Sequence, residues 1–277
     1  LFPQQVSAQN GNFTITACRK AGLHTEKLRI ILIGARFSNF PWGTENFIYK
    51  ALVDLGHEVI DIDFRRDRDC IEDILKQPAD LVITYKGSGI NTRLLEMLSC
   101  STILWYPDDV LTQQHAQEDL QNNGYAYDHV YYFDQAGVEK LHQMGIAHSS
   151  FLPLATDTTV YTYSPGTGKK HDVVFVGNIY PNRRALLDRL KSRFNVFETK
   201  AFMGEMVRIF NEAKIVLNLG IGHTGYQLRV FEALGCRSFL LTNEINVKNR
   251  LFKDKEHLVY FNERNIEELI SYYLKHD

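Results

Sequence analysis

At 277 residues, 44% hydrophobic and 23% charged, the chain has the composition of a soluble globular protein and the length for one large or two ordinary domains. Its formal net charge of -2 gives no general pull toward nucleic acid or anionic membrane. No apolar run approaches the roughly 18 residues that a membrane span needs.

Residues 1–27 lack a basic head followed by an apolar block, so no secretory leader is expected there and the segment is read as an N-terminal extension. From Leu28 the pattern becomes regular. "LRIILIG" is a short continuous apolar run, as in a parallel strand buried on both faces, and "TENFIYKALVDLG" follows with helical spacing and a glycine stop. "HEVIDIDF", "ADLVITY", "STILWYP", "YDHVYYFD" and "HSSFLPL" read as further strands, with "CIEDILKQ", "NTRLLEMLS" and "AGVEKLHQMG" as helices between them. The rhythm breaks at 155–170, rich in Thr, Gly, Pro and Tyr, which reads as a linker. It restarts with "DVVFVGN", "FNVFET", "KIVLNLG", "RSFLLTN" and "HLVYFN" as strands. The helices there are "NRRALLDRLKSR", "GEMVRIFNEA", "YQLRVFEALG" and "NIEELISYYLKH". The expectation is α/β: two Rossmann-like domains, 28–154 and 171–277, facing a cleft.

In such sheets ligands bind beyond the carboxyl ends of the strands, which says where to look. After the first strand, Gly34 is followed only by Gly43, so the dinucleotide fingerprint is missing. The acids of "DID" and "DRD" (61–63 and 67–69) match a common tripeptide of metal-dependent sugar transferases, but in another fold context, and no metal site is assigned. Cys18, Cys70, Cys100 and Cys236 lie far apart without metal-ligand spacing, which points to reduced thiols in a cytoplasmic setting.

"LWYPDD" puts Asp108 and Asp109 at a strand end, beside Trp105 and Tyr106, whose rings suit a sugar face. Asp109 reads as the N-cap of a helix beginning near Val110, whereas Asp108 is open to either a capping or a cleft-facing role. "VFVGNIYPNRRALL" ends a strand at Gly177-Asn178 and places Arg183 and Arg184 in the first turn of a helix. The dipole is positive there and acids are the rule. Either the turn is simply solvated, or an anion such as a diphosphate lies between guanidinium groups and free backbone N–H groups. In "NLGIGHTGYQLRVFEALG", Gly220, Gly222 and Gly225 permit close backbone approach, with His223 and Thr224 in the same loop. Glu232 follows Arg229 by three residues on one helix face. It is either a surface partner of that arginine, worth about 0–1 kcal/mol, or an acceptor for two ribose hydroxyls. Hydrogen bonds to a charged group contribute roughly 1.5–3 kcal/mol each.

The order "FVGN", "NRR", "NEAKIVLNL", "LRVFEALGC", "SFLLTNE", "HLVYF" and "ELISYYL" resembles the spore maturation protein CgeB family, whose members are GT-B glycosyltransferases. "ALVDLGHEV", "ADLVIT", "ILWYPDD", "YDHVYYFD" and "LPLATDTTVY" continue the resemblance through the N-terminal half. It implies a nucleotide-diphosphate sugar held by the C-terminal domain and a hydroxyl acceptor (glycan, protein or small molecule) entering from the N-terminal one, without a metal or other cofactor. Glu232 matches the family's ribose-binding Glu, Arg183 or Arg184 its phosphate ligand, and Arg229 the Arg before that Glu. Many retaining relatives carry a second Glu where this chain has Thr224. The donor set is thus Gly177, Asn178, Arg183, Arg184, Gly222, Thr224, Gly225, Arg229 and Glu232, with Asp108 and His223 as catalytic candidates. Inversion with Asp108 as base and same-face attack both stay open. So do two rivals, a sugar-nucleotide epimerase and a non-catalytic nucleotide-sugar-binding module. The near-neutral charge argues against nucleic acid as a partner.

Overall fold

The computed structural model describes residues 26–37, 40–87, 90–220, 225–245 and 250–276. The chain forms two wholly parallel sheets. The first holds β1 (Arg29–Gly34), β2 (Glu58–Asp63), β3 (Leu81–Tyr85), β4 (Ser101–Tyr106), β5 (His129–Tyr132) and β6 (Ser149–Phe151), in the order β2-β1-β3-β4-β5-β6. The second holds β7 (His171–Val176), β8 (Val196–Thr199), β9 (Ala213–Asn218), β10 (Leu240–Asn243) and β11 (Val259–Phe261), in the order β11-β10-β9-β7-β8. Counted from its own first strand, the second sheet repeats the order of the first five strands of the other. The two halves are one topology used twice, although no repeat is visible in their residues. In each, the chain turns one way and then the other from its first strand. That leaves a crevice at the carboxyl ends of β1 and β3, and another at the ends of β7 and β9.

Helices cross between the strands: α1 (Thr44–Asp54), α2 (Ile71–Leu75), α3 (Thr92–Glu96), α4 (Gln114–Asn123) and α5 (Gln135–Gln143) in the first half. The second has α6 (Pro181–Lys191), α7 (Met203–Glu212), α8 (Leu228–Gly235) and α9 (Ile266–Lys275). The apolar run of β7 shows why it reads as a buried strand. Val174 and Val176 pack into the cluster around Phe210 and Val230, while Val173 and Phe175 pack on the other face with Leu187, Leu217 and Ile266. Each such side chain contributes roughly 1.5–3 kcal/mol when fully buried. Asn91 caps α3 and Asp134 caps α5 through their side chains, satisfying N–H groups that the helices leave free.

Two expectations at the end of β4 are corrected. No helix begins near Val110. The Asp109 carboxylate accepts from the Leu111 N–H at 2.9 Å and the Thr112 hydroxyl at 2.6 Å, which closes a turn instead, and α4 starts only at Gln114. Tyr106 offers no ring face to a ligand: it is 1% exposed, and its hydroxyl donates to Asp119. The parity of the strand puts Thr102, Leu104 and Tyr106 inside and leaves Trp105 half-buried on the other face.

Residues 152–170 hold no strand or helix but are fastened to the second half. The Asn211 amide donates to the Thr162 carbonyl at 2.9 Å and accepts from the Ser164 N–H at 2.7 Å, and Tyr161 is buried in the core beside α8. Several contacts join the halves. Phe47 of α1 packs against Tyr161, Lys50 reaches Asp157 at 3.2 Å, and Gly225 lies against Phe133 and Asp134. A Cβ at position 225 would sit 2.9 Å from the Asp134 side chain, so only glycine allows that approach. Cys70, Cys100 and Cys236 are free thiols, and no helix among the described residues is long and apolar enough to cross a membrane.

Candidate functional site

The crevice of the second sheet collects charged side chains. β7 ends at Gly177-Asn178, and α6 starts at Pro181 with neither an acid in its first turn nor a side-chain cap. Arg183 folds back over that end. Its Nη1 donates to the Asn178 carbonyl at 2.7 Å, and its guanidinium lies 5.5 Å from the Phe175 ring centroid and 5.4 Å from that of Tyr180. Burial pushes the Arg183 pKa down, and the charge of Arg229 pushes it further the same way. Its buried Nε has no hydrogen-bond partner among the described residues. An under-bonded guanidinium at the end of β7, with the charge of Arg229 acting on it, forms a site that an anion would relieve.

Arg184 does not share this position. It is committed to Glu198 at 2.7 Å and Asp188 at 3.3 Å, with Lys191 on the same Glu198. Adjacent helical residues point about 100° apart, so only one of the pair can face the crevice.

Across the crevice, α8 begins without a side-chain cap or an acid in its first turn, leaving N–H groups free. Arg229 and Glu232 are no surface pair. Their side chains are 19% and 7% exposed and meet at 2.8 Å. The Tyr161 hydroxyl bonds to the same carboxylate; burial and then the charge of Glu232 raise the Tyr161 pKa. Beside the first turn of α8, at the ends of β9 and β10, lies a pocket of about 140 Å³. Asn218, Gln227, Thr242, Asn243 and Glu244 supply its polar lining, and Gly220 and Gly225 part of its wall. Gly222, His223 and Thr224 lie outside the described residues.

In the first half, Asp108 stands at the end of β4 with two partners that its sequence neighbourhood does not reveal. Lys86 Nζ approaches it at 2.6 Å and His115 Nε2 at 3.6 Å. Tyr132 anchors the turn, its hydroxyl donating to the Asp108 carbonyl and accepting from the Val110 N–H, both at 2.8 Å. Lys86 holds a left-handed φ of 69°, uncommon for a residue with a side chain. Glu45, in the first turn of α1, was also missed. It is 5% exposed and so close to Gly34 that a Cβ there would sit 2.9 Å from it. Its signal in the sequence is only an acid one residue into a helix.

Comparison with solved structures covers both halves. An alpha-glucosyltransferase in complex with UDP and a 13-mer DNA containing a HMU base aligns with a TM-score of 0.67 at 10% identity, over 91% of this chain and 90% of that one. AviGT4, a glycosyltransferase involved in avilamycin A biosynthesis, aligns with a TM-score of 0.59 at 14% identity, over 90% and 88%. The fold is GT-B. Anabaena Alr3699/HepE in complex with UDP and glucose gives the same TM-score, 0.59, at 14% identity, over 90% of this chain and 89% of that one. Residues 167–277 match the family described as Glycosyl transferase-like, a span that contains the whole second sheet and Arg183, Arg229 and Glu232. Among curated proteins, none matches the sequence of this GT-B chain.

Proposed function

We propose that the chain is a glycosyltransferase that moves a sugar from a nucleotide-diphosphate sugar to a hydroxyl acceptor. The observation that carries this reading is the under-bonded Arg183 at the carboxyl end of β7, in a crevice that also holds Arg229, the buried Glu232 and the start of α8 without a side-chain cap. In the reaction the bond between the sugar and the diphosphate breaks, and negative charge grows on the leaving group. Guanidinium groups and helix N–H groups placed at that position stabilise such charge. The family match to the C-terminal segment supports this, as do GT-B neighbours solved with UDP or UDP-glucose.

In this reading the ribose hydroxyls bond to the Glu232 carboxylate that Arg229 and Tyr161 also hold. The acceptor comes from the side of Asp108, which takes the acceptor's proton where the reaction inverts. His223 as a catalytic group and Thr224 as a donor-side group are proposed from the sequence alone. The motif order through both halves supports the narrower assignment to a CgeB-like group. A hydroxyl on a glycan, a protein or a small molecule fits the charge balance better than DNA does, although one GT-B neighbour was solved with DNA.

The test is a thermal-shift screen with UDP, GDP, ADP, TDP and their sugars on the wild type, Arg183→Ala and Glu232→Gln. A ligand at 100 times its Kd adds roughly 2.7 kcal/mol of stability. A shift with one nucleotide that shrinks in both variants supports the reading, and transfer to an acceptor then separates it from epimerisation. No shift with any nucleotide would overturn it.

A further inference from the structure

The pocket beside α8 differs in charge from the crevice next to it. Arg183 and Arg229 suit a diphosphate; the pocket does not. None of its described lining residues carries a positive charge, and Glu244 contributes a carboxylate that is 58% exposed and so open to a ligand. The other polar groups are neutral. The Asn218 amide donates to the Thr242 hydroxyl at 2.9 Å, and the Asn243 carbonyl oxygen takes the Gly220 N–H, which leaves the Gln227 amide and the remaining lone pairs and N–H groups for a guest. A lining of amides and one carboxylate is matched to a polyol, whose hydroxyls both donate and accept.

Glu244 is also held in place from behind. Its N–H donates to the Phe261 carbonyl at 2.8 Å, and its carboxylate meets Arg250 at 3.3 Å. The Arg250 guanidinium lies 4.7 Å from the Tyr260 ring centroid, and the Tyr260 hydroxyl bonds to that of Tyr226 at 2.6 Å. Tyr226 leads directly into α8. The chain of contacts therefore ties the carboxylate at the end of β10 to the helix start that would face the diphosphate, and it pairs Arg250 with Glu244.

We infer that this pocket receives the sugar of the donor and that Glu244 makes it selective for a neutral hexose over a hexuronate. The inference rests on the transferase reading above and narrows it. A neutral hexose offers hydroxyls to Glu244, Gln227 and Asn243. A uronate sets a second carboxylate against Glu244, and like charges brought together are disfavoured.

The experiment compares binding of each nucleoside diphosphate, its hexose and its hexuronate (for uridine: UDP, UDP-glucose and UDP-glucuronate) by calorimetry in the wild type, Glu244→Gln and Glu244→Ala. Thermal midpoints serve as the check on folding. The expected result is at least about tenfold tighter binding of the hexose than of the uronate in the wild type. That gap should close in Glu244→Gln, while the affinity for the bare diphosphate stays unchanged. If the diphosphate binds but hexose and uronate bind alike, or if the gap survives in both variants, the sugar selectivity is overturned and the donor reading stands. If no nucleoside diphosphate binds at all, the donor reading itself falls, and this inference with it.

Discussion

Trp42, in the loop before α1, stacks on Phe202, in the loop after β8: their ring centroids are 4.2 Å apart and their planes within 11°. Phe40 also stacks on Trp42, at 4.8 Å, so three rings join the first half of the chain to the second. Phe40 is 60% exposed, which makes it the outer end of the stack. The contact sits at the carboxyl-end side of both sheets, where substrates would enter.

Such aromatic pairs are worth about 0.5–1.5 kcal/mol beyond their buried area. A double-mutant cycle of Trp42→Ala and Phe202→Ala, followed by chemical denaturation, should give a coupling energy in that range. A coupling near zero would mean that the two halves do not use this stack to hold together.

Glu232 sets a second prediction, because two substitutions there should differ sharply. Glu232→Ala leaves the half-buried Arg229 beside no counter-charge and the Tyr161 hydroxyl without its acceptor. Breaking a buried pair in this way costs about 3–5 kcal/mol. Glu232→Gln keeps an acceptor for both partners and should cost less, about 1–3 kcal/mol. Urea titration reads both values; equal losses would show that packing, not charge, is what Glu232 provides.

The alternation of strands and helices was legible because both faces of each sheet are covered, so strands such as β7 appear as continuous apolar runs. Helix α4 was not legible: "QHAQEDLQNN" buries only Ala116 and Leu120 and has too narrow an apolar stripe to register. Tyr106 was misread although strand parity with Leu104 already placed it inside. Arg183 and Arg184 looked equivalent in the chain, and only the helix period separates them. Lys86 and His115 could not be linked to Asp108 from the sequence at all, since parallel pairing of β3 with β4 and the turn after Asp109 bring them together.

Lys86 gives a third prediction, in which the usual ranking of residues reverses. A left-handed conformation costs a residue with a side chain roughly 1–2 kcal/mol relative to glycine. Lys86→Gly and Lys86→Ala both lose the ion pair to Asp108, but only the glycine relieves the backbone. Lys86→Gly should therefore be the more stable of the two by about 1 kcal/mol, while transfer activity drops in both because Asp108 loses its partner. Thermal midpoints and initial rates on the same preparations check this; an alanine variant as stable as the glycine one would rule out the strain.

The contact between Lys50 and Asp157 makes a prediction about acid. Burial alone would raise the Asp157 pKa, but hydrogen bonds from the Thr159 hydroxyl and N–H and the ion pair with Lys50 outweigh it, and the net shift is downward. A carboxylate with a depressed folded pKa stabilises the fold above its unfolded value, near 3.9, and that contribution is lost as pH falls through the folded value. Because Lys50 lies on α1 and Asp157 on the strap fastened to the second half, protonation loosens a contact between the halves, not a core. Between about pH 5 and pH 3 the thermal midpoint of the wild type should therefore fall more steeply than that of Asp157→Asn, which has no proton to gain there. The two curves would run parallel through that window if the ion pair were only a crossing of two solvated side chains.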